Sequence, residues 1–572
     1  MRTKTVQLTP SLPSLPSPRV PGEGVDSRVD LAHDLVFPTL LFMALGGMTW
    51  AVRGCSGFGA VNGCIFAGVT WGTAWWFLAQ ESSLGRARRY ASPWIILALT
   101  IGIGLSGARG WMQWPSFFEG KLQTDTAHGK FVPISRAYGF LWLFIAGVPW
   151  AGLGACALAW CGSLKETRLW HGAIRIAFGL GTAALARKLY LAHPEIFLPL
   201  YGSLEKQYHQ PRANPNLQRL INDCSAAITH LGFYLGFLAF ELVRREWKNV
   251  VLITTVGLLN GLGWAAFQNW KWANALWGAD TFNFWRCWES SGGISIGFAY
   301  GIAYFLANRP MSQREQTIIH SRPQVEGRSF EWMLIYCGLT FFVSLYMREV
   351  MGGWGSWYFA IVLAFGAIYY FKNRPSVEWV GLAIVSALVA AEFRTRQQLS
   401  QYGLAILAGA MAVGLAWMFI RRSHFTDERE SLPRRDINLR HWAVYLGTLA
   451  GLGLSVRNGL KGWFNIYRGN EDYWSAELWR YLGPTYLVLL VLAAGFVLVR
   501  RSQRKPNAYV WIWVVLIVQN VIAQLITGPL TQWRETAFSI YYVLLFATSA
   551  VIVMHYRRLP EIESVGSLKL SR

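Results

Sequence analysis

Gly47-Met48-Thr49-Trp50-Ala51-Val52-Arg53-Gly54 closes a long apolar stretch on small residues and then a single arginine. The same ending recurs in Gly104-Leu105-Ser106-Gly107-Ala108-Arg109-Gly110 and in Gly451-Leu452-Gly453-Leu454-Ser455-Val456-Arg457-Asn458. An uncharged apolar stretch of about twenty residues is long enough to cross a bilayer as a helix. An arginine at the end of several such stretches gathers positive charge at one membrane face.

The rest of the chain agrees with this reading. Of its 572 residues 53% are hydrophobic and only 15% charged, and the charges fall between apolar blocks rather than on periodic faces. Thirty tryptophans fit a protein with many membrane–water boundaries, where the indole is half buried and its N–H stays wet. β-Barrel strands are short and alternate in polarity, so a barrel is excluded. The expected fold is all-α: a polytopic integral membrane protein of about 16 transmembrane helices.

The apolar stretches lie at 34–52, 58–79, 92–107, 138–161, 173–190, 223–243, 249–268, 290–307, 331–348, 354–372, 377–393, 402–420, 440–457, 481–499, 508–528 and 536–556. The weakest is 173–190, because Arg175, Arg187 and Lys188 lie in it or at its ends and have to snorkel to a boundary. Paired consecutively, the stretches make eight hairpins. These group as a first transmembrane half (34–308), a polar linker (309–330) and a second half (331–557), parallel eight-helix halves flanked by tails at 1–33 and 558–572. The first tail is rich in Ser and Pro without an apolar core, so it reads as disordered rather than as a signal peptide.

Basic clusters recur after every second stretch: Arg86-Ala87-Arg88-Arg89, Arg244-Arg245, Arg421-Arg422, Arg500-Arg501 and Arg557-Arg558. The positive-inside rule therefore puts both tails and the linker in the cytoplasm. Compact loops point to a bacterial cytoplasmic membrane. The net charge of +22 is accounted for by this topology, together with contact with anionic lipid. No RNA-binding motif or long basic helix points to nucleic acid. The seven cysteines are scattered without a CxxC, so neither a metal site nor a cofactor is expected.

Three residue classes could form a site at the opposite, outer face. The first is the arginines that end stretches: Arg53, Arg109, Arg187, Arg348, Arg394 and Arg457, with Gln268 in the equivalent place of one hairpin. A guanidinium offers a planar donor fork to phosphate or carboxylate, although a cation at a helix C-terminus also serves as an anchor. The second is aromatic: Trp111, Trp114, Trp285 and Trp474 in outer loops, whose faces suit sugar rings. The third is acidic, chiefly Glu289 and Glu477, as Arg partners or as a general base. Glycines before the polar ends, including Gly102, Gly179, Gly181, Gly261 and Gly263, are expected to let helices approach closely.

The expected function is that of a transporter or flippase whose outward-facing Arg/Trp site takes an anionic solute or a phosphate- or sugar-bearing lipid. A membrane-embedded transferase acting on a lipid-linked sugar is the alternative, and a non-catalytic scaffold subunit the second. Membrane lipids are the expected partners, an anionic or glycosylated lipid the candidate ligand.

Overall fold

The computed structural model describes residues 30–55, 60–80, 87–91, 94–106, 117, 119–125, 128–165, 169–198, 215–267, 270, 276–277, 283–320, 508–528 and 530–558. The stretches between 331 and 499, and with them most of the expected second half, lie outside these residues.

Each of the ten remaining stretches falls on a helix. A π-turn, Ala32–Val36, leads into α1 (Phe37–Cys55), followed by α2 (Ala60–Gln80) and α3 (Trp94–Ser106). Then come α4 (Ala137–Cys161), α5 (Leu169–Ala192), α6 (Pro215–Val243), α7 (Trp247–Phe267) and α8 (Phe284–Ala307). A short amphipathic helix, α9 (Gln313–His320), occupies part of the expected linker; α10 (Ala508–Leu525) and α11 (Trp533–Arg558) follow. Among the described residues, six segments are long and apolar enough to cross a membrane: Ala32–Arg53, Ala137–Cys161, Leu220–Val243, Trp247–Phe267, Phe284–Ala307 and Trp533–Arg558. α5, the weakest stretch by sequence, is a 24-residue helix but is not among them.

Two features depart from expectation. A β-hairpin, β1 (Lys121–Asp125) with β2 (Lys130–Pro133), stands between α3 and α4, pairing Lys121 with Pro133 and Leu122 with Val132. Gly129, at φ +59, supplies the left-handed residue of its turn. In addition, α6 and α8 begin well before their apolar stretches do. In α8 the extra turns hold Arg286 and Glu289, and the Asn283 side chain caps them by accepting from Arg286 N at 3.1 Å. These charges hid the turns from a hydropathy reading.

Six helices close into a ring in the order α1, α8, α7, α4, α3, α2 and back to α1. α6 packs on α4 and carries α5 on its other side; α10 and α11 pack on α1, with α10 also touching α2. The final hairpin is thus seated directly on the first helices of the chain.

Glycines set the spacing of the ring. Gly293, Gly297 and Gly301 of α8 recur every four residues and face α1: a Cβ on Gly297 would lie 2.6 Å from Met43 Cα, and one on Gly301 2.5 Å from Thr39 Cα. Gly46 of α1 and Gly293 sit backbone to backbone, with a Cβ on either overlapping the other's carbonyl. Without water to drive association inside a bilayer, such close contact is what holds helices together. Gly102 against Leu153, Gly179 against Phe237 and Gly261 against Val148 play the expected part, whereas Gly181 has nothing within 4 Å of a Cβ.

Aromatic side chains fill the ring. Trp71 of α2 stacks on Tyr300 of α8 at 6.1 Å between ring centres, and Trp50 of α1 meets Trp150 of α4 edge-on at 5.4 Å. Three buried polar groups here are paired with backbone: Trp71 Nε1 donates to Phe42 O (3.2 Å), Tyr300 Oη to Ala151 O (2.8 Å) and Asn260 Nδ2 to Gly147 O (2.6 Å). The last two acceptors flank Pro149, where α4 lacks an N–H and its backbone needs support from neighbours.

Candidate functional site

Buried ion pairs close both ends of the aromatic axis. At the end where the chain enters α1, Arg88 pairs with Asp34 and donates to Asn308 O at 2.7 Å. Arg89 pairs with Glu246 at 2.6 Å and with Gly162 O. Tyr90 Oη donates to Asn249 Oδ1, Asn249 Nδ2 to Glu241 Oε2 at 2.8 Å, and Glu241 pairs with Arg175. This network ties the π-turn before α1, the C-terminal ends of α4 and α8, α5, α6, α7 and the 87–91 segment into one floor. By sequence alone Arg88 and Arg89 belong to a loop at the membrane surface, and Arg175 has to snorkel. All three are buried and paired, and Arg175 lies under Trp160 and Phe240 at 4.5 and 5.0 Å.

Glu246 makes this floor sensitive to acid. Burial raises its carboxyl, but the Arg89 guanidinium, the Lys165 amide and the Ser163 hydroxyl together outweigh that and hold it below its ordinary value of 4.5. A depressed carboxyl contributes stability that is full above the ordinary value and is lost as pH falls through the lower folded value. Thermal unfolding in detergent is therefore expected to come at lower temperature as the pH drops below about 4.5, and Glu246→Gln to flatten that dependence. An acid profile identical in the variant would remove Glu246 from the cause.

The opposite end is built differently. Arg53 is 4% exposed, and its guanidinium lies over Trp50 at 4.7 Å and Trp150 at 4.6 Å, between two sides of the ring. Glu289, 3% exposed, meets it through one contact, Nη1 to Oε2 at 3.2 Å. The Arg89–Glu246 and Arg286–Glu535 contacts are 2.6 and 2.5 Å, so this buried pair is the looser one. A charged pair in good register is shorter and commonly bidentate. The Cys64 thiol is within hydrogen-bonding reach of the same guanidinium.

Indole groups complete the site. A Cβ on Gly292 would lie 3.5 Å from Trp50 Nε1 and 3.6 Å from Trp264 Nε1, so two indole nitrogens converge on the space that this glycine leaves beside Glu289's helix face. Trp50 Nε1 is fully buried and has no hydrogen-bond acceptor among the described residues. A buried donor without an acceptor costs about 1–3 kcal/mol. An anion beside Arg53 would supply that acceptor.

Around this core the scaffold is firmly tied. Ser290 Oγ bonds Gly47 O at 3.0 Å and Tyr541 Oη at 2.7 Å. Arg286 is held by Glu535 and by Ile526 O at 3.1 Å, and Glu535 also accepts from Gly528 N at 2.8 Å. These contacts fix α8 against α1 and α11 next to Glu289.

The expected site residues are distributed unevenly. Arg53 and Glu289 come together in the interior rather than at an open surface. Arg187 is exposed on α5, which packs on α6, and is not brought to Arg53; Trp285 is 41% exposed at the start of α8. Arg109, Trp111, Trp114, Gln268, Arg348, Arg394, Arg457, Trp474 and Glu477 lie outside the described residues. The sequence reading missed Trp50, Trp150 and Trp264 as site residues. Trp50 precedes Arg53 by three, a spacing that puts both on one helix face and was available as a signal; the other two are local to nothing. No protein-family model, curated protein or solved structure matches this chain.

Proposed function

We propose that this protein is a multi-pass membrane transporter or flippase, and that Arg53, Trp50, Trp264 and Glu289 form the site for the anionic group of its substrate. The substrate is an anionic solute or a lipid with a phosphate or sugar head group. The supporting observation is the Arg53–Glu289 pair: one long contact, buried on the axis of a helix ring beside an indole N–H without an acceptor. Charge inside a membrane is expensive and tends to mark a substrate or ion path. Ion pairs at both ends of that axis fit a closed form with a gate at each side.

In this reading the Asp34 end faces the cytoplasm, with both tails there, and the Arg53 end faces outward; the membrane is a bacterial cytoplasmic one. For a transferase the candidate bases are Glu289, which is paired with Arg53 in this resting arrangement, and Glu477, which lies outside the described residues. The test is mass spectrometry of anions and lipids that co-purify with the detergent-solubilised protein. Wild type is expected to retain an anionic species and Arg53→Gln to lose it by at least about tenfold, about 1.4 kcal/mol in binding. Equal occupancy in the two proteins would remove Arg53 from the function.

A further inference from the structure

We propose that Glu289 is a proton carrier, so that each negative charge bound at Arg53 enters with one proton; this rests on the anion-site reading above. At rest the site is neutral, with one guanidinium and one carboxylate in contact at 3.2 Å. In this proposal the anion takes the guanidinium bidentately and displaces that carboxylate from it. Glu289 is then a buried carboxylate without its counter-ion, an arrangement that a low-dielectric interior does not sustain. Taking up one proton at a carboxylate oxygen restores neutrality: the guanidinium balances the anion, and the Glu289 carboxylic acid carries no charge. Release of the anion reverses the step, and the proton leaves as Arg53 and Glu289 pair again.

The surrounding groups leave Glu289 this role. From α1 it faces Arg53 and from α2 the Cys64 thiol, which is close enough to interact with both. One turn earlier on α8, Arg286 is neutralised by Glu535 at the start of α11, and Tyr541 of α11 is engaged with Ser290. The charged residue of α7, Lys248, pairs with Glu315 at the other end of the bundle. Among the described residues, no second cation is therefore in place to compensate Glu289 once Arg53 is taken.

The test uses the full-length protein in detergent, weakly buffered, with proton uptake followed by a pH indicator. The probes are methyl sulfate and a sulfated galactolipid in the micelle; each carries a single negative charge and neither titrates near neutral pH, so proton movement belongs to the protein, and the two arms separate a free anion from a lipid-borne one. Wild type is expected to take up about one proton per sulfate group bound, with affinity falling about tenfold per pH unit above neutral. Glu289→Gln is expected to bind without proton uptake and with an affinity independent of pH. Binding in wild type without proton uptake, or uptake unchanged in Glu289→Gln, overturns the proton role and leaves the anion site standing. Failure of both probes to bind wild type overturns the anion site itself, and the proton role with it. The wild-type pH dependence stands as evidence even where the variant folds poorly.

Discussion

Glu241→Leu is expected to destabilise the protein by about 3–5 kcal/mol, the usual effect of stripping one partner from a buried ion pair. The reason is the position of Arg175. Its guanidinium is 1% exposed, it lies inside α5, and it stacks between Trp160 and Phe240 with Glu241 as its carboxylate. Removing Glu241 leaves a buried charge that cannot reach water without pulling α5 off α6. It also strips Asn249 Nδ2 of its acceptor, and with it one link of the chain that runs through Tyr90. Unfolding temperature and monodispersity in detergent measure the loss. Arg175→Met combined with Glu241→Leu should recover most of it, since an apolar pair of similar volume avoids the desolvation of both ions. If Glu241→Leu alone unfolds within about 0.5 kcal/mol of wild type, the range of an ordinary surface substitution, Arg175 has access to water and the floor is not dry.

Gly297→Leu is expected to be as severe, through sterics rather than charge. Its Cβ would overlap Phe42 O and lie 2.6 Å from Met43 Cα, and backbone cannot rotate aside as a side chain can. Overpacking usually costs about 1–3 kcal/mol; here the two helices have to separate, so the effect belongs at or beyond the top of that range. The same displacement would pull Glu289 from Arg53, because both residues sit on the helices being parted. The variant should therefore lose retained anion as well as stability. A Gly181→Ala variant in α5, where nothing lies within 4 Å of the new Cβ, is the control expected to change little.

The sequence carried the helices because a bilayer demands long uncharged stretches, and that demand is written locally in hydropathy. It did not carry the ring. Hydropathy has no information about partners, and the closing contact between α1 and α8 joins residues more than two hundred positions apart. The spacing of Gly293, Gly297 and Gly301 was a readable hint of close packing, but the sequence could not say that Gly46 was opposite. Charge was the chief source of misreading. Arg88, Arg89 and Arg175 look like surface cations, since their carboxylate partners Asp34, Glu246 and Glu241 come from other parts of the chain. For the site, the sequence singled out Arg53 and Glu289 one by one; that they meet, and that Trp50 and Trp150 hold the guanidinium between them, depends on the fold.

Arg53 and Glu289 are proposed to be buried for an anion and not for stability. The double variant Arg53→Met/Glu289→Leu separates the two, since it removes both charges together and leaves a packed apolar site. The decisive measurement is the amount of anion that co-purifies with it once its unfolding temperature has been shown to match wild type. The expected result is a stable protein from which the anion is gone. A stable double variant carrying as much anion as wild type would contradict it.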